Sequence, residues 1–412
     1  MLPFSNQSGS GASFLDALFT STSAVCVTGL ILHDTATYWS TFGQLVIMLL
    51  IQIGGMGVIT VAASIAMISG RRISLMQRST MQEAIAAPKV GGIVRLTGFI
   101  IKTTLTIELL GAVFMAPVFC RDFGVRGLWM ALFHSVSAFC NAGFDLMGTK
   151  EKFSSLTSYA ADPVINVTIM VLIIVGGIGF LTWDDIQTNG LHLHKYRMQS
   201  KVILCTTAVL LIIPALYFYF CEFAALTPGK RVLSSLFQSV TPRTAGFNTV
   251  DLTNMSEAGQ AIIIVLMLIG GSPGSTAGGM KTTTVAVLFA TAIATFLRKE
   301  HTHFFGRRID DDVVKNAATV LLMYLTLFFF GGLVISIVEG LPMRYCLFET
   351  ASAVGTVGLS LGITPELGAL SKMILILLMY FGRVGGLTLI FAALSGTQKQ
   401  SAKLPKEKIT VG

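Results

Sequence analysis

FTSTSAVCVTG, residues 19–29, runs from a phenylalanine to a glycine, and the arrangement returns in FHSVSAFCNAG at 133–143 and FETASAVGTVG at 348–358. FQSVTPRTAG at 237–246 is a fourth version, one residue shorter, which reads as a single deletion. The glycines recur at intervals of about 100 to 115 residues, so the chain divides into four copies of one unit. Each segment is too short to cross a bilayer yet lies between long apolar stretches. That predicts a segment that dips into the membrane and returns, the geometry of an ion filter.

Working outward, 53% of the 412 residues are hydrophobic and 12% charged, with a mean hydropathy of +0.74. A soluble domain carries roughly a quarter charged residues, so the composition indicates a polytopic membrane protein. Candidate spans at 42–69, 90–119, 164–186, 202–221, 258–297 (interrupted), 316–338 and 370–395 predict seven crossings. None alternates with period 2, which selects an all-α protein over a barrel. The units are expected at 1–89, 90–199, 200–309 and 310–412.

Basic residues set the orientation. Arg71, Arg72, Arg78 and Lys89, then Lys195, Arg197 and Lys201, then Arg298, Lys299, Arg307, Arg308 and Lys315, and the tail Lys399, Lys403, Lys406 and Lys408 fall in one set of loops, expected to be cytoplasmic. The filter segments then face outside. This bias accounts for the net charge of +8 without a nucleic-acid partner. The six cysteines lack metal-site spacing, and MLPFSNQSGSG has no apolar core of signal-peptide length.

A dehydrated monovalent cation needs a cage of neutral oxygens, which inward-turned carbonyls supply, and glycine permits the backbone angles that turn them. The filter residues are therefore expected at Val27, Thr28 and Gly29; Asn141, Ala142 and Gly143; Thr244, Ala245 and Gly246; and Thr356, Val357 and Gly358. No carboxylate occurs in these strips, which argues against a divalent-cation ring. Short helices ending at the strips would aim their negative ends at the axis and favour a cation.

Each unit closes on a second glycine signature: IGGMG at 53–57, VGGIG at 175–179, IGGSPGSTAGG at 269–279 and FGRVGG at 381–386. In the third unit Gly270, Gly271, Ser272, Pro273, Gly274, Ser275, Thr276, Gly278 and Gly279 cannot stay helical, so this span is expected to be broken where the other three are continuous. Non-helical backbone at membrane depth must line a cavity or be buried in protein. A nucleotide P-loop is excluded, because taking Gly274 and Gly279 as its glycines leaves Met280 where lysine is required. Arg383 takes the place of the second glycine in the last signature. It is expected to face the pore as a barrier to cations, with a structural ion pair as the competing reading. Lys281 is expected to reach the cytoplasmic side or a loop carbonyl, Glu108 and Glu349 to hold helices together, and His134 to be a hydrogen-bonded core residue.

The strips, TPRTAGFN at 241–248, the loop GGSPGSTAGGMKTTT and Arg383 together resemble the Ktr/Trk/HKT superfamily of potassium transporters, in particular the membrane, potassium-translocating subunit of bacterial Ktr systems, the NtpJ-like group. The resemblance runs from about residue 12 to 395 and implies four M1–pore-helix–M2 pseudo-repeats around one central pore. It implies that 270–280 and Arg383 form an intramembrane gate. It also implies a homodimer in a bacterial cell membrane, controlled by a cytoplasmic nucleotide-binding ring; RKEHTHFFGRRIDDD at 298–312 suits a docking surface for it, and suits a solvated charge run equally well. LPF at 2–4 resembles the end of the family's first M1, which is otherwise missing here. K+ is the expected transported ion, no cofactor is expected in the chain, and a sodium dependence stays open. An alternating-access sodium- or proton-coupled secondary transporter is the alternative, since broken helices suit both, but four filters on one side are parallel rather than inverted repeats. No catalytic constellation suggests an enzyme.

Overall fold

Serine and proline punctuate the chain where its helices begin. The computed structural model describes residues 1–58, 60–62, 79, 81–82 and 92–385. Arg71, Arg72, Arg78, Lys89, Gly386, the four tail lysines and the far ends of the expected spans 42–69 and 370–395 lie outside the described residues. Apart from one turn at Thr35–Tyr38, the described α-helices, in order, are α1 (Phe14–Val25), α2 (Thr41–Met56), α3 (Ile93–Phe123), α4 (Arg126–Phe139), α5 (Pro163–Gly177), α6 (Phe180–Asn189) and α7 (Met198–Tyr217). They continue with α8 (Pro228–Val240), α9 (Glu257–Leu268), α10 (Thr282–Phe296), α11 (Asp311–Glu339), α12 (Met343–Gly355) and α13 (Ala369–Val384). A two-stranded hairpin, β1 (His303–Phe304) and β2 (Arg307–Arg308), joins α10 to α11. Ser13, Ser40 and Ser256 accept the backbone N–H three residues on and so cap α1, α2 and α9. Pro163 and Pro228 open α5 and α8, where a missing N–H costs nothing.

Among the described residues, three helices are long and apolar enough to cross a membrane: α3, α7 with the π-helical turn Phe218–Glu222 that extends it, and α11. They expose Leu109 and Val113, Ile212 and Ile213, and Leu322 and Ile337. Apolar surface of that extent is stable against lipid, and this is a membrane protein. Each long helix packs on the short helix that follows it, α3 on α4, α7 on α8 and α11 on α12. Phe19, Phe133, Phe237 and Phe348, which open the four segments, are fully buried, so each anchors its short helix.

The expectation that only the third second-helix is broken is corrected. α2 ends at Gly57, α5 stops before Gly179 and α13 ends at Gly385, with φ of +86°, +92° and +83°. A glycine in that conformation terminates a helix. α5 and α6 consequently meet at 98°. Of the seven expected crossings, three are single long helices and a fourth is this bent pair; among the described residues, 42–69 holds the shorter apolar helix α2, 258–297 the two shorter helices α9 and α10, and 370–395 the 16-residue α13.

Candidate functional site

Each short helix α1, α4, α8 and α12 ends in a tight reversal. Val27, Asn141, Thr244 and Thr356 adopt φ of +57°, +59°, +66° and +52°, although none is a glycine. Such a conformation costs about 1 kcal/mol or more per residue and persists where surrounding structure fixes it. The backbone N–H groups of Thr28, Ala142 and Val357 each donate over 2.8 Å to the carbonyl of a helix residue, Ser23, Ser137 and Ser352 respectively. Thr241 plays this part for Ala245 at 3.0 Å, so the missing residue of the third segment lies after Thr241.

The hydroxyls of those four residues hold the strips from behind. Ser23 and Ser352 accept the N–H of Gly29 and Gly358 at 3.1 and 3.0 Å, while Ser137 and Thr241 donate to the carbonyls of Phe144 and Phe247 at 2.7 and 2.5 Å. Sequence reading missed this role, yet the signal was available: a hydroxyl residue stands four places after the phenylalanine in every segment.

The glycines close the strips into a ring. A Cβ on Gly29 would strike the carbonyl of Ala142, one on Gly143 that of Ala245, one on Gly246 that of Val357, and one on Gly358 that of Thr28. The order is therefore first, second, third, fourth and back to the first, with one handedness throughout. All four glycines also line one cavity of about 350 Å³, together with Asp145, Asn248 and Glu366. The carbonyl ends of four helices, each with a partial negative charge of about half an electron, lead into this ring.

The second glycine signature is explained by close approach. Gly54, Gly176 and Gly382 lie against the carbonyls of Val25, Phe139 and Val354, leaving no room for a Cβ. Behind the strips, His134 Nδ1 is 2.7 Å from the Met130 carbonyl and its Nε2 accepts Leu146 N–H at 3.3 Å. Glu349 accepts from the hydroxyls of Ser360 and of Thr364, the latter at 2.8 Å, and Glu108 accepts Gln52 Nε2 at 3.2 Å. All three join neighbouring segments.

Residues 269–281 form an irregular strap between α9 and α10. Gly270 N–H donates to the Met280 carbonyl at 2.8 Å and Thr282 N–H to Gly271 at 3.0 Å, which closes the base of the strap. Its tip meets the second unit: Ser272 N–H donates to the Gly177 carbonyl at 2.9 Å, and Phe180 N–H to the Gly274 carbonyl at 2.7 Å. Pro273 lies against Gly179, and Ser275 Oγ donates to the Ser272 carbonyl at 2.7 Å. Its return leg meets the fourth unit, where Gly278 abuts Thr356 and Gly279 N–H donates to the Gly382 carbonyl at 3.2 Å. The strap thus bridges the second and fourth units, the two that flank its own in the ring.

Two cations hold the strap. Arg383 donates to the Thr276 carbonyl and to the carbonyls of Gly54 and Gly55 at the end of α2, the last at 3.2 Å. Its hydrogen-bond partners are backbone oxygens and not the carboxylate that the ion-pair reading needs. Lys281 Nζ donates to Ala277 at 2.9 Å. Above the ring, burial and the nearby Asp34 push the Asp145 carboxyl up to about 6, against the pull of hydrogen bonds from Met147 and Ser155.

Known proteins resemble the chain in sequence and in fold. The family model described as "TrkH: Cation transport protein" matches residues 3–403. The chain is similar to the potassium/sodium uptake protein NtpJ of Enterococcus hirae, 41% identical over all of this chain and 92% of that protein. It is also similar to the Ktr system potassium uptake protein B of Bacillus subtilis, 38% identical over all of this chain and 92% of that protein. Among solved structures, the potassium transporter TrkH of Vibrio parahaemolyticus superposes with a TM-score of 0.72, at 20% identity, over 93% of this chain and 78% of that one.

Proposed function

The chain belongs to the TrkH family of cation transport proteins, and we propose that it takes up potassium through a channel-like pore. The named relatives are uptake proteins and not enzymes. The observation that carries the reading is the ring in which each filter glycine abuts the carbonyl of the next strip around one cavity. Neutral carbonyl oxygens gathered around one cavity can replace the hydration shell of a monovalent cation. In this reading four pseudo-repeats, 1–89, 90–199, 200–309 and 310–412, surround one pore, and the strap with Arg383 is its gate. The uniform handedness of the ring supports parallel repeats and disfavours the inverted repeats of an alternating-access carrier.

We further place the protein as a multi-pass component of a bacterial plasma membrane, with its filters outside, acting as a homodimer with a cytoplasmic nucleotide-binding ring. The β1–β2 hairpin, with Arg307 and Arg308 exposed, is the proposed docking point. The test is rubidium uptake by proteoliposomes holding the purified protein, with unlabelled potassium and sodium as competitors. Uptake suppressed by potassium at concentrations where sodium has no effect supports the reading; uptake abolished only by collapsing a proton or sodium gradient favours the carrier.

A further inference from the structure

Phe139 ends α4, and because the chain reverses at Cys140 and Asn141, its carbonyl has no helical N–H to accept. Val25 likewise ends α1, and Val354 holds the corresponding place in the fourth segment, one residue before the end of α12. Among the described residues, the Phe139 carbonyl alone of these three receives a side-chain donor, Thr276 Oγ1 at 2.9 Å. Thr276 is fully buried and uses all its polar groups: its N–H donates to the Gly176 carbonyl at 3.2 Å and its carbonyl accepts from Arg383. One residue of the strap thus grips the end of the second short helix, the end of α5 and the guanidinium from α13.

From this we infer that Thr276 is a positioning residue for selectivity, coupling the seated strap to the second filter strip. Its hydroxyl fixes the last carbonyl of α4 and therefore the reversal that places Asn141, two residues on, at φ +59°. The Asn141 amide lies 3.3 Å from Thr244 Oγ1, so a shift of the second strip passes to the third. When the strap leaves, the Phe139 carbonyl loses its donor and both strips lose a constraint. Coupling between two sites is reciprocal, so an ion bound in the ring also favours one position of the strap.

The inference rests on the reading of the ring as filter and the strap as gate, and its test separates the two. Potassium and sodium fluxes are measured in proteoliposomes for the wild type, Thr276→Val, which keeps the shape and removes the donor, and Thr276→Ser, which restores it. The expected result is a potassium-to-sodium flux ratio reduced about fivefold in the valine variant, the effect of one buried hydrogen bond, and recovered in the serine variant. A valine variant that conducts faster with an unchanged ratio makes Thr276 a gate contact only and overturns the coupling. Lower flux of both ions at an unchanged ratio, with a lower melting temperature, makes it a packing residue and overturns it equally. Thr276→Ala is read by the same ratio should the valine variant not fold. A wild type that passes neither ion sinks the filter reading itself.

Discussion

Gly358 stands against the carbonyl of Thr28, so the last glycine strip of the chain closes directly on the first. The contact leaves no room for a side chain, and Gly358 also sits at φ +93°, a conformation that L residues avoid. The ring is therefore intolerant of a Cβ at each of its four glycines for two independent reasons.

Gly29→Ser tests this most directly, since Gly29 at φ +90° abuts the Ala142 carbonyl. The added atoms must push that carbonyl off the axis. We expect a potassium-to-sodium preference lowered by about tenfold, equivalent to ~1.4 kcal/mol, with folding retained. Competition by sodium for rubidium uptake measures it, and an unaltered preference would show that the ring carbonyls do not select the ion.

Arg383→Gln removes the charge and most of the donors that join the strap to α2. The carbonyls it leaves are neutral, so no buried carboxylate is stranded, unlike the breaking of an ion pair. Potassium flux should rise about tenfold, while the melting temperature in detergent falls by no more than about 4 °C. Slower flux together with a large loss of stability would mean that the arginine serves packing and not closure.

The four strips were legible because a filter needs glycine at fixed intervals, and Phe, Ser and Gly recur together in the segments around Gly29, Gly143 and Gly358. The strap was legible from glycine and proline crowded into an apolar span. What could not be read were the helix ends at Gly57 and Gly385 and the bend at Gly179, because a lone glycine is equally compatible with a continuing helix and only tertiary contact fixes its φ. The partners of Arg383 were hidden for a related reason: backbone carbonyls are acceptors at every position, so a sequence shows a missing carboxylate but not which carbonyls replace it.

Deleting Ser275 to Gly278 should remove the part of the strap that bridges the second and fourth units while sparing Gly270 to Gly271 and Thr282, whose hydrogen bonds close its base. Potassium flux in proteoliposomes should rise by at least about tenfold if the strap obstructs the conduit. A folded deletion protein with reduced flux would assign these residues to the wall of the pathway instead.

Asp145 predicts the response to external pH. Its carboxyl lines the cavity above the four glycines and titrates near 6, because burial and Asp34 disfavour the charged form. At pH 7.5 it is ionised and draws cations to the ring; below about 6 it takes up a proton and the attraction is lost. A unit charge about 8 Å from an ion acts with ~2 kcal/mol at an effective dielectric of about 20, so acidifying the outside from about pH 7.5 to 5 should raise the KM for potassium about thirtyfold. Vmax should change little, since the ring and the strap are untouched. Asp145→Asn should show the high KM already at neutral pH and lose the dependence. A variant whose KM still climbs on acidification would place the titrating group elsewhere.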